Sequence, residues 1–275
     1  MNSYLLITGA TGGLGSAFAQ ECAQRGYALY LTDWSDAGQS FADYLRQTYG
    51  VEVRFRACDL TSAQQRQVLY QAFKEEGIRF WGLINVAGMD YEGAFLERTR
   101  QQILTILQLN MEATVDNSHA ILHLRDPEQR FVLINVCSLA AYYPMPYKAL
   151  YAASKRFLLD FSQALREEIT PYGTVTALCP AGLPTTPETM RAIFAQGFWG
   201  MATTMDTRVV ARRTIQHALR GKAVYIPGWF NGILRSLGSM APAWLVAKFV
   251  GRRWSAAQLE QKAGWKPHQA IHSST

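Results

Sequence analysis

Tyr4-Leu-Leu-Ile-Thr8 runs directly into Gly9-Ala-Thr11-Gly12-Gly13-Leu14-Gly15, and a helical pattern then continues through Gly26. The first of these runs is rich in β-formers, and the glycines behind it let the backbone approach a ligand closely. A helix that begins at such a turn presents free N–H groups and the positive end of its dipole to an anion. Strand, glycine turn and helix in this order, with the spacing Thr-Gly-x-x-x-Gly-x-Gly, predict a phosphate-binding device at the start of the fold.

Working outward, a second strand, Ala28 to Thr32, ends in Asp33. A carboxylate about twenty residues beyond the glycines accepts hydrogen bonds from adenosine ribose hydroxyls and repels a 2′-phosphate. Trp34 follows it and the glycine loop holds no basic residue, so the pattern favours NAD over NADP. The alternative is an Asp33 that merely caps the next turn. A helix over 38–49 leads to the strand Val51 to Phe55 and then to Cys58-Asp59-Leu60, where Asp59 either meets the adenine amino group or caps the helix beginning near Ser62. Phe80 to Val86 is a continuous apolar run suited to a strand buried on both faces. It ends in Asn85-Val86-Ala87-Gly88, small residues that leave room for a cofactor, with Asn85 alternatively satisfying buried backbone. One long helix is expected over 98–123, with Ile103, Leu104, Leu107, Met111 and Val115 at helical spacing and Asn110, a poor helix former, in its middle. Further strands, Phe131 to Cys137 and Thr174 to Cys179, end at Ser138 and at Pro180 to Thr186. The alternation of strand and helix specifies an α/β, doubly wound parallel sheet that binds ligands beyond its C-terminal strand ends. Gly13, Asp33, Asp59, Asn85, Ser138 and Thr185 all fall on that rim.

Tyr151-Ala-Ala-Ser-Lys155 opens a further helix, thirteen residues after Ser138. A phenol with its free pKa near 10 is a poor acid or base at neutral pH, but an ammonium four residues on stabilises the phenolate. A hydroxyl from a separate strand end, Ser138, holds a carbonyl or alcohol oxygen against the phenol. The spacing proves little by itself, because Tyr70-Gln-Ala-Phe-Lys74 repeats it. No serine lies thirteen residues before Tyr70, and Ser62-x-x-Gln65 marks an ordinary capped helix there, so this second pair reads as helix surface.

Together these segments resemble the short-chain dehydrogenase/reductase family over residues 3–228. The motifs that carry the resemblance are Thr8 to Gly15, Asn85-Val-Ala-Gly88, Asn110, Ser138, Tyr151-Ala-Ala-Ser-Lys155 and Pro180 to Thr185. The resemblance implies a Rossmann-type sheet of about seven strands with helices on both faces. It implies that Tyr151 is the general acid/base, that Lys155 lowers its pKa and holds the nicotinamide ribose, and that Ser138 orients the reacting oxygen. Asn110 would hold a water linking Lys155 to solvent, and Thr185 would contact the nicotinamide carboxamide. Gly9, Thr11, Gly13, Leu14, Gly15, Asp33, Asp59, Leu60, Asn85, Ala87, Gly88 and Pro180 would complete the cofactor cradle. A homodimer or homotetramer is expected. Val86, Trp81 and Ala181 depart from the family's usual Asn, Asp and Gly, which bears on cofactor fit more than on the reaction.

The 275 residues, 49% of them apolar, suffice for one large α/β domain, expected over 1–228 with a lid at about 184–206 and a helical extension at 229–275. Cys22, Cys58, Cys137 and Cys179 show no metal-like spacing and read as reduced core residues of a cytoplasmic protein. The N-terminus carries no secretory pattern, and no run reaches the length of a spanning helix. Met190, Ile193, Phe194, Phe198, Trp199, Met201 and Met205 on one side, with Met145 and Tyr147 on the other, point to a bulky apolar substrate, steroid-like or lipid-derived. Residues 208–275 hold eleven Lys or Arg against Glu260 alone, whereas 1–207 hold sixteen against twenty acids. Trp, Leu and Phe interleave with this charge over 229–254, which fits a membrane-surface contact at the inner face of the membrane, a substrate cover or a subunit contact; no motif points to nucleic acid. An NADP-dependent reductase of small carbonyl compounds, a non-catalytic dinucleotide-binding protein and a peripheral membrane protein remain as alternatives.

Overall fold

The structure is a computed structural model that describes residues 3–185, 190, 204–240 and 242–252. Strands β1 (Ser3–Thr8), β2 (Leu29–Asp33), β3 (Val53–Ala57), β4 (Arg79–Asn85), β5 (Phe131–Val136), β6 (Gly173–Leu178) and β7 (Val224–Tyr225) form one parallel sheet in the order β3-β2-β1-β4-β5-β6-β7. The order reverses between β1 and β4, the crevice where an open α/β sheet takes its ligand. In-register pairing of Thr32 with Thr8, Thr8 with Asn85 and Asn85 with Asn135 lines the strand ends up along a common rim.

Alternate residues of each strand point to opposite faces, so both must be covered by helices. Leu5, Ile7, Leu29, Leu31, Ile84, Val132 and Ile134 pack in one apolar layer with α1 (Gly13–Gln24), α2 (Gly38–Tyr49) and α7 (Thr207–Leu219). Tyr4, Leu6, Tyr30, Phe80, Leu83, Phe131 and Leu133 pack in the other with α3 (Ala63–Glu75) and α5 (Ala113–His123). Between them in sequence come α4 (Arg100–Leu107) and, along β5 and β6, α6 (Ala149–Ile169). The four cysteines are free and buried. After β7, α8 (Trp229–Met240) and a helical segment at 243–252 follow.

Two sequence expectations change, and one strand of the expected seven is not placed by sequence reading. The helix expected over 98–123 is interrupted: α4 ends at Leu107 and α5 begins at Ala113, with a π turn at Gln108–Glu112 between them. Periodicity could not show this, because a π turn keeps helical dihedrals while widening the ring. The strand β7 has only two residues, too short to leave an alternation pattern. Tyr70 is not on a surface: it is buried, and its hydroxyl donates to Asn117 Oδ1 at 2.7 Å.

That bond begins a buried polar chain. Asn117 Nδ2 donates to Asn85 Oδ1 (3.2 Å), Asn85 Nδ2 to Asn135 Oδ1 (2.9 Å), and Asn135 Nδ2 to Ser162 Oγ (2.9 Å). It ties α3, α5, β4, β5 and α6 together, and each amide is matched, as buried polar groups must be. Arg66 of α3 is also buried, its guanidinium shared among Asp116 (2.6 Å), the Leu60 carbonyl (2.7 Å) and Glu112.

Candidate active site

The glycine loop is shaped by contact. Gly9 has φ +62°, favoured by glycine, and a Cβ on it would lie 2.9 Å from the Ala87 backbone. A Cβ on Gly15 would strike the Gly9 carbonyl oxygen at 1.9 Å, so α1 can start this close to β1 only with glycine there. Gly13 touches Thr185 from the loop after β6: a Cβ would come within 2.8 Å of the threonine Cβ. The loop, the α1 N-terminus and Thr185 thus form a tight cradle that fits a dinucleotide's phosphates. The Leu14 side chain is in the core, leaving only its backbone for this cradle.

Asp33 is buried and fully engaged. Its Oδ2 accepts from Thr11 N (2.8 Å) and Thr11 Oγ1 (2.7 Å), and its Oδ1 accepts from Trp34 N (2.8 Å). It therefore fastens the glycine loop to the end of β2, the turn-capping role that the sequence offers as one alternative. Asp59 accepts from Thr61 N (2.9 Å) and Thr61 Oγ1 (2.7 Å), one turn ahead of Ser62, the N-cap of α3. The side chains of two residues expected at the cofactor face the interior. The Asn85 side chain is consumed by the interior amide chain, and Leu60 is buried in the core with its carbonyl on Arg66.

The residues expected at the proton-transfer site lie close together. Asn110, in the π turn, pairs with Met89 in both directions at 2.9 Å and donates to Ser154 Oγ at 3.1 Å. The turn needs this asparagine because its amide satisfies the backbone of the loop after β4. A Cβ on Gly88 would lie 3.2 Å from Asn110 Oδ1 and 3.3 Å from Lys155 Nζ, which puts all three side by side. Lys155 is only 4% exposed; its Nζ donates to the Val136 carbonyl at 2.8 Å and lies 5.7 Å from the centre of the Tyr151 ring. Ser138 Oγ accepts from Ala140 N (3.1 Å) and donates to the Pro180 carbonyl (3.5 Å), fixing it at the end of β5.

Burial is the largest influence on Tyr151 and holds its phenol above the ordinary value. A hydrogen bond with Ser138 and the Lys148 charge act downward, while Asp90 and Cys137 act upward. Burial pushes the Lys155 ammonium below its usual value. A cation that acts on the phenol, Lys148, lies 5.8 Å from the ring centre and pairs with Asp90 (2.7 Å) and Glu92 (3.0 Å). Sequence reading missed this cluster. Its signal was present, since Lys148 precedes Tyr151 by three residues and Lys155 follows it by four, both on one helical flank.

On the substrate side, Tyr147 and Tyr151 line a hollow with Phe95, Arg98, Ile103 and Ile106. Tyr147 has φ +66°, held by its carbonyl accepting from Gly93 N at 2.9 Å, and the Met145 carbonyl accepts from Lys148 N at 3.1 Å. Phe194, Phe198 and most of the expected lid lie outside the described residues.

The family model for the short chain dehydrogenase matches residues 3–193. The chain belongs to this family. The match takes in the glycine loop, Asn110, Ser138, Tyr151 and Lys155. This short-chain dehydrogenase is 28% identical to the very-long-chain 3-oxoacyl-CoA reductase of Pyrenophora tritici-repentis, over 67% of this chain and 55% of that one. It is also 28% identical to human 17-beta-hydroxysteroid dehydrogenase type 3, over 65% and 61%. The matches thus span between half and two thirds of these relatives' lengths. Among solved structures, a short-chain dehydrogenase from Sphingobium yanoikuyae in complex with NADPH is 26% identical, with 98% of both chains covered and a TM-score of 0.71. The bulky-bulky ketone specific alcohol dehydrogenase from Comamonas testosteroni shares the fold at 23% identity and a TM-score of 0.73, covering 98% of this chain and 97% of that one.

Proposed function

We propose that the protein is an oxidoreductase that moves a hydride between NAD(H) and a bulky, apolar secondary alcohol or ketone, steroid-like or lipid-derived. The observation that carries this reading is the convergence of Asn110, Lys155 and Gly88 beside Tyr151, at the sheet's crossover and within reach of the glycine cradle. A bound nicotinamide supplies the hydride chemistry. The chain's own part is the proton: Tyr151 donates it to the carbonyl oxygen in reduction or removes it from the alcohol in oxidation, and Ser138 holds that oxygen. Because Tyr151 is raised, it stays protonated at neutral pH and is ready as an acid. Reduction therefore persists through neutrality and falls as pH rises through the phenol's pKa. Oxidation needs the phenolate and gains over the same interval, so its optimum lies at higher pH.

The apolar and aromatic groups Phe95, Ile103, Ile106 and Tyr147 beside Tyr151 support the apolar substrate, as do the substrates for which relatives are named, very-long-chain 3-oxoacyl-CoA, hydroxysteroid and, in Bacteroides thetaiotaomicron, 3-ketodihydrosphingosine. NAD is favoured by the Asp33 carboxylate at the end of β2, where a 2′-phosphate would meet negative charge. The NADPH-bound Sphingobium structure favours the second reading, NADP(H). A panel of steroids, fatty ketones and sugars with each cofactor, followed at the nicotinamide absorbance, tests both. Equal turnover of sugars, or none of the apolar compounds, would sink the substrate; Asp33→Asn should raise NADP use relative to NAD if the carboxylate selects.

A further inference from the structure

The segments around the substrate hollow turn an unusual face outward. The 143–147 loop is met from three directions. Gly93 N donates to the Tyr147 carbonyl, Arg235 of α8 lies 5.0 Å over the Tyr142 ring, and a Cβ on Gly251 would touch Pro146 at 3.2 Å. The 93–97 segment, α8 and the 243–252 helix therefore frame one mouth.

Several of their outward side chains are large and apolar, alongside exposed Glu97, Arg235 and Ser236. Phe95 and Leu96 are exposed beside the hollow, Leu96 at 95%. On α8, Trp229 (80% exposed) and Ile233 share a face at i, i+4. In the 243–252 helix the sheltered face is apolar, as in a soluble helix, but the exposed face carries large apolar side chains as well. Residues 246, 247, 250 and 251 are sheltered, while Trp244, Leu245, Lys248, Phe249 and Arg252 form the exposed stripe, Trp244 at 69% and Phe249 at 70%. A solvated stripe would be mixed in charge and largely polar. This one combines aromatic and aliphatic groups with cations only, and the sequence from 208 onward holds eleven Lys or Arg against a single acid. No helix among the described residues is long and apolar enough to cross a membrane. Large apolar side chains with interleaved cations on short helices suit the headgroup boundary of a bilayer, where rings and alkyl chains enter the acyl edge and ammonium groups meet anionic lipid.

We propose that this face docks the protein on an anionic bilayer, with the substrate mouth at the lipid surface, so that an apolar ketone reaches Tyr151 from the membrane rather than from water. Delivery of substrate rests on the apolar-substrate reading above; docking does not. The complementarity of charge favours lipid over a second copy of the chain, whose equivalent face would carry the same positive charge.

The full chain, without cofactor or substrate, is mixed with sucrose-loaded vesicles of phosphatidylcholine alone or with phosphatidylglycerol, and sedimented. Most of the protein should sediment with the anionic vesicles and little with the zwitterionic ones, and binding should weaken as salt is raised. Trp244→Glu with Phe249→Glu should weaken binding at least tenfold. The same double variant should turn over a small water-soluble ketone normally without vesicles, which shows that it is folded. Adding anionic vesicles should lower the KM for a membrane-partitioned ketone in the wild type and not in the variant. Wild-type protein that ignores anionic vesicles, or a double variant that binds as the wild type does, overturns the docking. So does a variant that changes only the oligomeric state in sedimentation velocity, which would assign the face to self-association. Vesicle binding by a protein inactive on every ketone would instead overturn the substrate reading and leave the docking standing.

Discussion

Two Tyr-x-x-x-Lys pairs stand on two helices of this protein, and only their surroundings differ. In α3, Tyr70 is buried and its hydroxyl is spent on Asn117, while Lys74 is in solvent. In α6, Tyr151 is partly exposed beside a hollow, with Lys148 and Lys155 at similar distances from its ring, and Lys155 is the buried partner. Burial raises both phenols. Only the second has a serine hydroxyl, two cations and open space around it. Spacing of four makes side chains neighbours; the structure around them decides whether the neighbours can do chemistry.

The comparison breaks most sharply at the hydroxyl. Tyr151→Phe should lower kcat by about 10²–10⁴-fold, the usual contribution of a positioned acid or base, while NADH fluorescence still reports cofactor binding. Equal loss of binding and turnover would mean a structural role instead. Tyr70→Phe should leave kcat alone and cost about 1–3 kcal/mol in denaturant unfolding, because the Asn117 oxygen loses its donor inside the core. A smaller effect sharpens the contrast further. Lys148→Met removes a cation that lowers the Tyr151 pKa and leaves Asp90 and Glu92 unneutralised, so the rising limb of the oxidation profile should move to higher pH, with reduction at neutrality nearly unchanged. An unmoved limb would remove Lys148 from the proton balance. Lys74→Met, at the decoy, should alter stability by no more than about 0.5 kcal/mol and activity not at all.

Six of the strands, and the glycine loop with its helix, were legible in the sequence because fully buried parallel strands leave continuous apolar runs and the loop leaves its glycines. Asn110, Ser138, Tyr151 and Lys155 were legible as candidates through their order along the chain. What each side chain does was less so. Asn85 sits at the right strand end but turns inward, which depends on Asn117 and Asn135 arriving from other elements. Lys148, with Asp90 and Glu92, reads locally as surface charge and gains its meaning only when the loop after β4 folds against the start of α6. The π turn was invisible for the reason that makes it useful: its residues have helical character and differ only in which carbonyl each amide reaches.

That turn has a genetic consequence. An α-helix advances about 100° per residue, and the wide ring at Gln108–Glu112 takes up one residue more than α geometry needs. An in-frame loss of a single codon there would close the wide ring into a regular helix and leave what lies beyond it close to its present phase, because the extra residue is absorbed within the ring. Asn117 would still reach Asn85 and Asp116 would still reach Arg66, and the change would fall on the turn itself, where Asn110 is held against Met89. The wide turn thus sets Asn110 against the loop after β4 without disturbing the interior amide chain beyond it.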